Sequence, residues 1–514
     1  MTTLTLSPAE CAVLSGLDVY PRSVSLAGDT VYFLGRADDG ARRLGIIQPA
    51  AESLDPAACG LDRTVPFDGQ VLTLRLCPAD STHAALLRRA FPHLNPQPLG
   101  LCLSAGLGDR LGLATPGHVR AIRETLRLAS GQAGIAPVFA QQSIRENART
   151  GRTPQQVLDD ATWGLFQEGW RAPWGADADH LKTPADIDVC AAAGYTLYTI
   201  DPGDHVDHAA PIAAPGDLQA RFAALPWDAL EDTPTDLRAR YLGRPLPVDD
   251  LTFDDLTLLR AAVKYGRAIA HVVMMTRHLA AVMGDRPYEV EVSVDETETP
   301  TSPAEHVFIA AELRRLGVQW TSLAPRYVGR FEKGVDYIGD PSMDSGQALD
   351  EFEAEFARHA QIAWQMGPYK LSLHSGSDKF SIYPIVARHA GGLVHLKTAG
   401  TSYLEALRAL AGADPAFFRE ILTLARARYE TDRASYHVSA DVGRVPPPET
   451  LRDDELPALL NDFHARQVLH VTFGYVIATC GDRLRAALDA HQEAYYAALE
   501  AHFRRHLAPF VRMA

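Results

Sequence analysis

The sequence predicts an α/β fold: a TIM-type (β/α)8 barrel with a β-rich N-terminal lobe, a helical insertion after strand four and a helical C-terminal extension. Three observations carry this expectation. Eight apolar, β-prone runs fall between residues 101 and 397. Most are separated by a segment of helical periodicity, the alternation that builds a parallel sheet. Each run is followed by a polar cluster, and a (β/α)8 barrel sets its chemistry at the C-terminal ends of its strands.

Residues 1–98 hold short alternating runs such as DTVYFLGRA (29–37) and GQVLTLRLC (69–77), punctuated by Pro and Gly, and read as the β-rich lobe. PHLNPQPLG (92–100) reads as a linker. The barrel is expected over 99–410. Its strands are LCLSAGLGDRLG (101–112), APVFAQQSIRE (136–146), WRAPWGADADHLK (170–182), YTLYTIDPGDH (195–205), YEVEVSVDETETP (288–300), VQWTSLAPRY (318–327), YKLSLHSGSDKF (369–380) and GLVHLKTAG (392–400). The helices beginning at Thr115, Thr153, Thr183 and Ser302 share one design, Ser or Thr followed by Pro, and three of them stop near a Gly. That is an N-cap, a Pro at the first helical position and a left-handed C-terminal stop. The interval of about 203–287 contains the strongly helical DDLTLLRAAVKYGRAIAHVVMMTRHLAAVMG (254–284) and is expected as an insertion at the active-site mouth, where long segments often act as lids. SYLEALRALAG (402–412) completes the last barrel helix, and 411–514 form the helical extension, broken by VSADVGRVPPPE (438–449).

Length and charge narrow the function. A barrel takes roughly 250 residues, so 514 residues require flanking structure. A formal net charge of −15 argues against a general nucleic-acid or anionic-membrane binder. A small anionic substrate remains compatible if a local pocket is basic. The six cysteines are scattered without a CxxC pair, which favours a reduced, cytoplasmic protein. The first residues lack a secretory pattern, and no run approaches the ~18 apolar residues of a membrane span. A homo-oligomer is left open.

The strand-end clusters supply the chemistry. In ADADHLK (176–182), His180 can ligate a divalent metal, Asp179 can act as general base or second ligand, and Lys182 can meet an anion. An Asp-rich turn capping the next helix is the plainer reading of the same residues. His374 and His395 are the first polar side chains after the apolar stretches of two consecutive strands, so His180, His374 and His395 form a candidate three-His metal site. In SVDETETP (293–300), a period of two sets Glu296 and Glu298 on the face of Val290, Val292 and Val294, with Asp295 opposite. One of the two glutamates is expected as an acid or base and the other as structural. Arg110, Arg145, Arg326, Lys379 and Lys397 stand at other rims and suit an anionic substrate, although a salt bridge explains any one of them as well. Gln142 and Ser375, with Gln141 and Ser143, add the neutral donors and acceptors of a sugar site. No GxGxxG, GxxxxGK[ST] or GxSxG is present, so nucleotide binding and serine hydrolysis fall behind.

These clusters resemble the tagaturonate/fructuronate epimerase family. The matching segments are GDRLGLATPGH, AQQSIREN, GADADHLKT, SVDETETPTSPAEH, SLAPRYVGRFEKGVDYIGD, GPYKLSLHSGSDKFSIYPI, HLKTAGTSYLEALR and HARQVLHVTFG. The resemblance implies interconversion of two 2-keto-hexuronates at C4 with a divalent metal. It also implies an acid/base carboxylate pair at Asp179 and at Glu296 or Glu298. Zn, Mn, Ni, Co and Fe all suit His and carboxylate donors. The C4 hydrogen is not adjacent to the ketone and is not acidic, so cleavage and re-formation of the C3–C4 bond, a retro-aldol/aldol sequence, is the expected route. Two rival readings are a metal-dependent aldose–ketose isomerase and a non-catalytic sugar-acid binding protein. The second needs neither DADH nor DETE at strand ends.

Overall fold

The protein was analysed as a computed structural model that describes residues 4–50, 60–128, 134–244, 246, 248, 251–374, 377–398 and 400–511. The N-terminal strands β1 (Asp18–Val19), β2 (Ser25–Ala27), β3 (Thr30–Arg36), β4 (Arg42–Pro49), β5 (Leu61–Phe67) and β6 (Gln70–Pro78) form an antiparallel sheet of order β1-β3-β4-β6-β5, with β2 on β3. Local sequence sets its hairpins. Asp68 and Gly69 join β5 to β6 with φ of 49° and 73°. Two positive φ values are what a two-residue hairpin turn needs, and Asp-Gly supplies them with little strain. Alternation along β3 sends Val31 and Phe33 into a small core under helix Pro8–Ser15 and Leu34 into the main core.

The barrel strands follow: β7 (Ser104–Gly106), β8 (Ala136–Ser143), β9 (Gly175–Leu181), β10 (Leu197–Ile200), β11 (Glu289–Ser293), β12 (Ser322–Ala324), β13 (Lys370–His374) and β14 (Val394–Lys397). They pair in parallel in chain order and close from β14 to β7. Each coincides with one of the eight runs. Thr153, Thr183 and Ser302 cap their helices, each in a reciprocal capping box. Thr115 instead begins its helix from inside.

The barrel interior is polar. Interiors of this fold are ordinarily filled with branched apolar side chains. Here Lys370 Nζ donates to Ser104 Oγ at 3.0 Å, Ser322 Oγ to Glu291 at 2.6 Å, and Thr199 Oγ1 to Asp177 at 2.9 Å. The valines of β11 join the main apolar core instead, as expected for strands covered by helices. This changes the facing expected of strand five. The strand ends at Ser293 and a turn follows, so the alternation does not extend to Glu296 and Glu298. Glu291, on the face opposite the valines, points into the barrel.

The 203–287 interval is helical, as expected, and its longest helix belongs to the barrel wall. Helix Asp255–Met283 packs between helices Pro184–Ala193 and Pro303–Arg315, as a member of the outer ring. The shorter helices Pro215–Ala223 and Pro234–Tyr241 lean on it from outside. Its buried stripe, including Leu258, Tyr265, Ile269 and Val272, explains why: that face needs the barrel wall. The C-terminal helices Pro415–Asp432, Phe463–Val471, Phe473–Ala490 and Gln492–Val511 pack on the barrel, the last against helix Thr115–Leu128. No helix of the described residues is long and apolar enough to cross a membrane. The described cysteines, Cys11, Cys77, Cys102, Cys190 and Cys480, are free thiols.

Candidate active site

The site grows from β9. A period of two turns Asp177 and Asp179 inward, and it would turn His180 away. His180 instead adopts φ of 54°, beside a register shift between β9 and β10. Left-handed backbone at a non-glycine residue is strained and clusters at functional sites. Here it lets consecutive residues Asp179 and His180 line one cleft.

Lys397 lies at the centre. Its Nζ is 2.8 Å from carboxylate oxygens of Asp177, Asp179 and Glu291, and it donates to Thr199 Oγ1 at 2.6 Å. Burial disfavours the ammonium, but the three carboxylates outweigh it and hold Lys397 well above the usual lysine range. Asp177 is pushed up to about 6 by burial, opposed by Lys397. Asp179 goes the other way. Burial would raise it, yet Lys397, His180 and His374 hold it well below the usual carboxylate range. Its second oxygen accepts from Gln141 Nε2 at 2.8 Å.

His180 and His374 meet across the barrel mouth with ring centroids 5.1 Å apart. His374 Nε2 is bonded to Glu291 at 2.7 Å, while its Nδ1 stands 3.3 Å from Asp295 without hydrogen-bond geometry. Asp295 is braced by Ser293 Oγ. Ligand atoms of His180, Asp295 and His374 lie within 4.8 Å of one another. Burial disfavours protonation of both imidazoles. The surrounding carboxylates outweigh it, led by Asp179 for His180 and Asp295 for His374, and lift them to about 10 and about 9. The cluster therefore favours two positive charges on these rings, a demand a divalent cation also meets. A carboxylate behind a histidine is the usual support of a metal ligand, and Glu291 occupies that position behind His374. The donor set fits a divalent metal.

The cleft is narrow. Past Arg145, Lys333, His374 and Tyr436 it runs into an outer chamber that Glu296, Glu298 and Arg326 help to line. Arg145 holds Glu296 through two bonds of 2.9 and 3.4 Å. Burial would raise the Glu296 carboxyl, but His180, Lys333 and Arg145 bring it down to about 2. Arg110 is buried, bonded to Glu146 and stacked 3.7 Å over Phe473. Arg326 donates to the Tyr327 carbonyl at 3.1 Å.

Of the residues expected at the site, Asp179, His180, His374, Lys397, Arg110 and Arg145 converge on the inner cleft, and Glu296, Glu298 and Arg326 on the outer chamber. The others lie elsewhere. His395 is fully buried on Ser104 Oγ at 2.9 Å. Its register partner is Ser372, whereas that of His374 is Lys397. His395 thus sits one pleat below His374, and Asp295 stands in the place expected for a third histidine. Burial holds the His395 imidazole down to about 3. Gln142 faces away onto Thr150 and Arg152, and its neighbour Gln141 takes the cleft. Lys182 pairs with Asp204 at 2.7 Å at the outer surface. Lys379 is fully buried on backbone carbonyls of Glu332, Val335 and Asp378. Ser375 lies outside the described residues. Lys333, Tyr436 and His470 also line the cleft, and none of them is at a strand end. Lys333 and His470 stand inside GRFEKGVDYIGD and HARQVLHVTFG, which the family resemblance marks; nothing in the sequence marks Tyr436.

Comparison with known proteins agrees with this architecture. The family profile described as tagaturonate epimerase matches residues 20–510. A tagaturonate/fructuronate epimerase of Thermotoga maritima is 42% identical over 496 residues, covering 96% of each chain. The glycerol-complexed crystal structure of a fructuronate-tagaturonate epimerase from Cohnella laeviribosi superimposes with a TM-score of 0.86 at 36% identity, covering 98% of both chains. The native crystal structure of that protein gives 0.85 at 35%, with the same coverage. With its barrel, its strand-end carboxylates and histidines, and these matches along nearly its whole length, the chain belongs to the tagaturonate epimerase family.

Proposed function

We propose that this protein interconverts D-tagaturonate and D-fructuronate by inverting C4, with a divalent metal, through cleavage and re-formation of the C3–C4 bond. The observation that carries the reading is the convergence of His180, His374 and Asp295 beside Asp179 at the C-terminal mouth of the barrel. Breaking C3–C4 leaves negative charge on the three-carbon keto fragment, which needs an electron sink. A lysine Schiff base is one such sink, but Lys397 is held as an ammonium among three carboxylates. Lys379 is enclosed away from the cleft. A divalent cation held by His180, His374 and Asp295 would supply Lewis-acid stabilisation of that charge.

The chain's own groups then have separate tasks. Asp179 is ionised at rest and takes the proton of the C4 hydroxyl. Lys397 and Gln141 fix its carboxylate in place. After the bond breaks, the C4 aldehyde turns and its other face is attacked. Glu296, at the solvent side beside Arg145, is placed to pass a proton from water to the new C4 oxygen. Glu298 lies further out, its backbone N–H toward His208 at 3.5 Å, and is the structural member of the pair.

An NMR assay of purified protein with tagaturonate, run with added metal and with chelator, tests this reading. Fructuronate should appear with metal and not with chelator. Equal conversion in both samples removes the metal from the account, and no conversion in either removes the reaction.

A further inference from the structure

Between β12 and helix Ser345–Gln365, the backbone at 332–335 is fixed from several sides. Lys379 Nζ donates to the carbonyls of Glu332 at 3.1 Å and Val335 at 2.6 Å. Gly334 N donates to Ser377 Oγ at 2.9 Å, and its carbonyl accepts from Arg466 Nε at 2.6 Å. The Glu332 carboxylate accepts from Ser439 N at 2.9 Å and Gln467 Nε2 at 2.8 Å. Lys379 is fully buried and Arg466 is 5% exposed. The buried Lys379 amine, the Arg466 guanidinium and part of the C-terminal extension thus hold one short loop still.

The loop presents Lys333. Its side chain lines both chambers, and no hydrogen bond or ion pair joins it to any described residue. The same wall carries two buried side chains with unused polar atoms. Arg110 is 4% exposed, and its Nη1 has no partner among the described residues. His470 is fully buried with Nδ1 unpartnered. Its Nε2 faces Arg110 Nη2 at 3.5 Å, which leaves the ring proton on Nδ1. Burial, then the nearby Arg110 and Lys333, keep that ring neutral. The Lys333 ammonium, the Arg110 Nη1 left over from its pairing with Glu146, and an imidazole N–H therefore stand rigidly at one end of the cleft.

We propose that Lys333, Arg110 and His470 form the subsite for the substrate carboxylate and set the preference for a sugar acid over the neutral ketohexose. This rests on the proposed reaction and gives it a direction. With the carboxylate at this wall, the keto end of the six-carbon chain reaches His180, His374 and Asp295. After C3–C4 cleavage the departing fragment is C4–C6, which carries the carboxylate. Anchored there, its aldehyde can turn about the C4–C5 bond without leaving the cleft.

The test uses full-length, metal-supplemented enzyme with Lys333→Met and Lys333→Arg. Two readouts are kcat/KM on tagaturonate against D-tagatose, its neutral counterpart, and calorimetric binding of D-glycerate, a three-carbon hydroxy acid that matches C4–C6. Lys333→Met should lower kcat/KM for the acid on the order of 100-fold, the usual size of losing one partner of a desolvated charge pair. It should cost the neutral sugar far less than the acid, abolish glycerate binding and keep the melting temperature, and Lys333→Arg should restore part of the acid activity. Equal losses on both sugars, unaltered glycerate binding in Lys333→Met, or no glycerate binding by the wild type would each overturn the subsite. Wild type that binds glycerate through Lys333 yet epimerises no keto-hexuronate keeps the subsite and removes the reaction.

Discussion

At Lys397, three buried carboxylates meet one ammonium. Removing one partner of such a cluster strands charge in a low-dielectric interior, at a cost of roughly 3–5 kcal/mol. Lys397→Met should therefore lose stability of that order, seen as a lower denaturation midpoint, and an unchanged midpoint would contradict the central role given to this residue. His374→Ala acts differently, because it removes a proposed ligand atom and opens space. It should lose bound metal and epimerase activity together, read by elemental analysis beside the NMR assay. A fully active, metal-replete variant would remove His374 from the metal site. Much at this scale was legible. Asp179, His180, His374 and Lys397 are marked by their place at strand ends. His395 has the same mark, but a one-pleat difference in register decides which histidine reaches the mouth, and register is set by pairing across the sheet. Asp295 was seen beside Glu296 and Glu298. Its role emerged only once the strand was found to end at Ser293.

Elements were legible where local rules act alone. The eight strands follow from alternation and the capped helices from Thr-Pro and Ser-Pro starts. The facing of β11 was not, because valine beside glutamate ordinarily reads as core beside solvent. In this barrel the solvent side of that pattern is a charged interior. The length of the 203–287 interval points to an insertion, which helices Pro215–Ala223 and Pro234–Tyr241 supply, while the wide apolar stripe of Asp255–Met283 marks a wall helix. The 332–335 loop lies within GRFEKGVDYIGD, but its position depends on Lys379, Arg466 and Gln467 arriving from distant segments. Gly334 has φ of 85°, and a Cβ there would lie 3.1 Å from the Arg466 carbonyl oxygen and 3.3 Å from His470 Cβ. Gly334→Ala should cost roughly 1–2 kcal/mol for left-handed backbone alone. It should also raise KM for tagaturonate by shifting Lys333 and His470. An unaltered KM would mean that the loop tolerates displacement.

Over the whole molecule, the barrel supplies the reacting end of the cleft and the C-terminal extension supplies part of the wall that faces it. Tyr436 and His470 come from that extension. A linear sequence separates them from β9 by about half the chain, so only the packed structure brings them together. The same compactness shapes the acid response. His118, His359 and His506 are fully buried, and burial holds each down to about 4. In the unfolded chain such groups take a proton near about pH 6.5. Protonation between these values favours unfolding, so the stability they contribute is complete above about pH 6.5 and is lost as pH falls toward 4. The calorimetric midpoint should decline across that window, and a flat profile would mean that these rings are protonated in the folded state.

The most direct test of the account follows deuterium at C4. Tagaturonate labelled with deuterium at C4 is converted in ordinary water and the product is read by NMR beside the unlabelled rate. Cleavage at C3–C4 predicts that fructuronate keeps the label and that the labelled substrate reacts without a primary isotope effect, since the C4–H bond never breaks. Loss of the label to solvent, or a primary isotope effect with the label retained, would show that the C4–H bond is broken and would contradict the proposed chemistry.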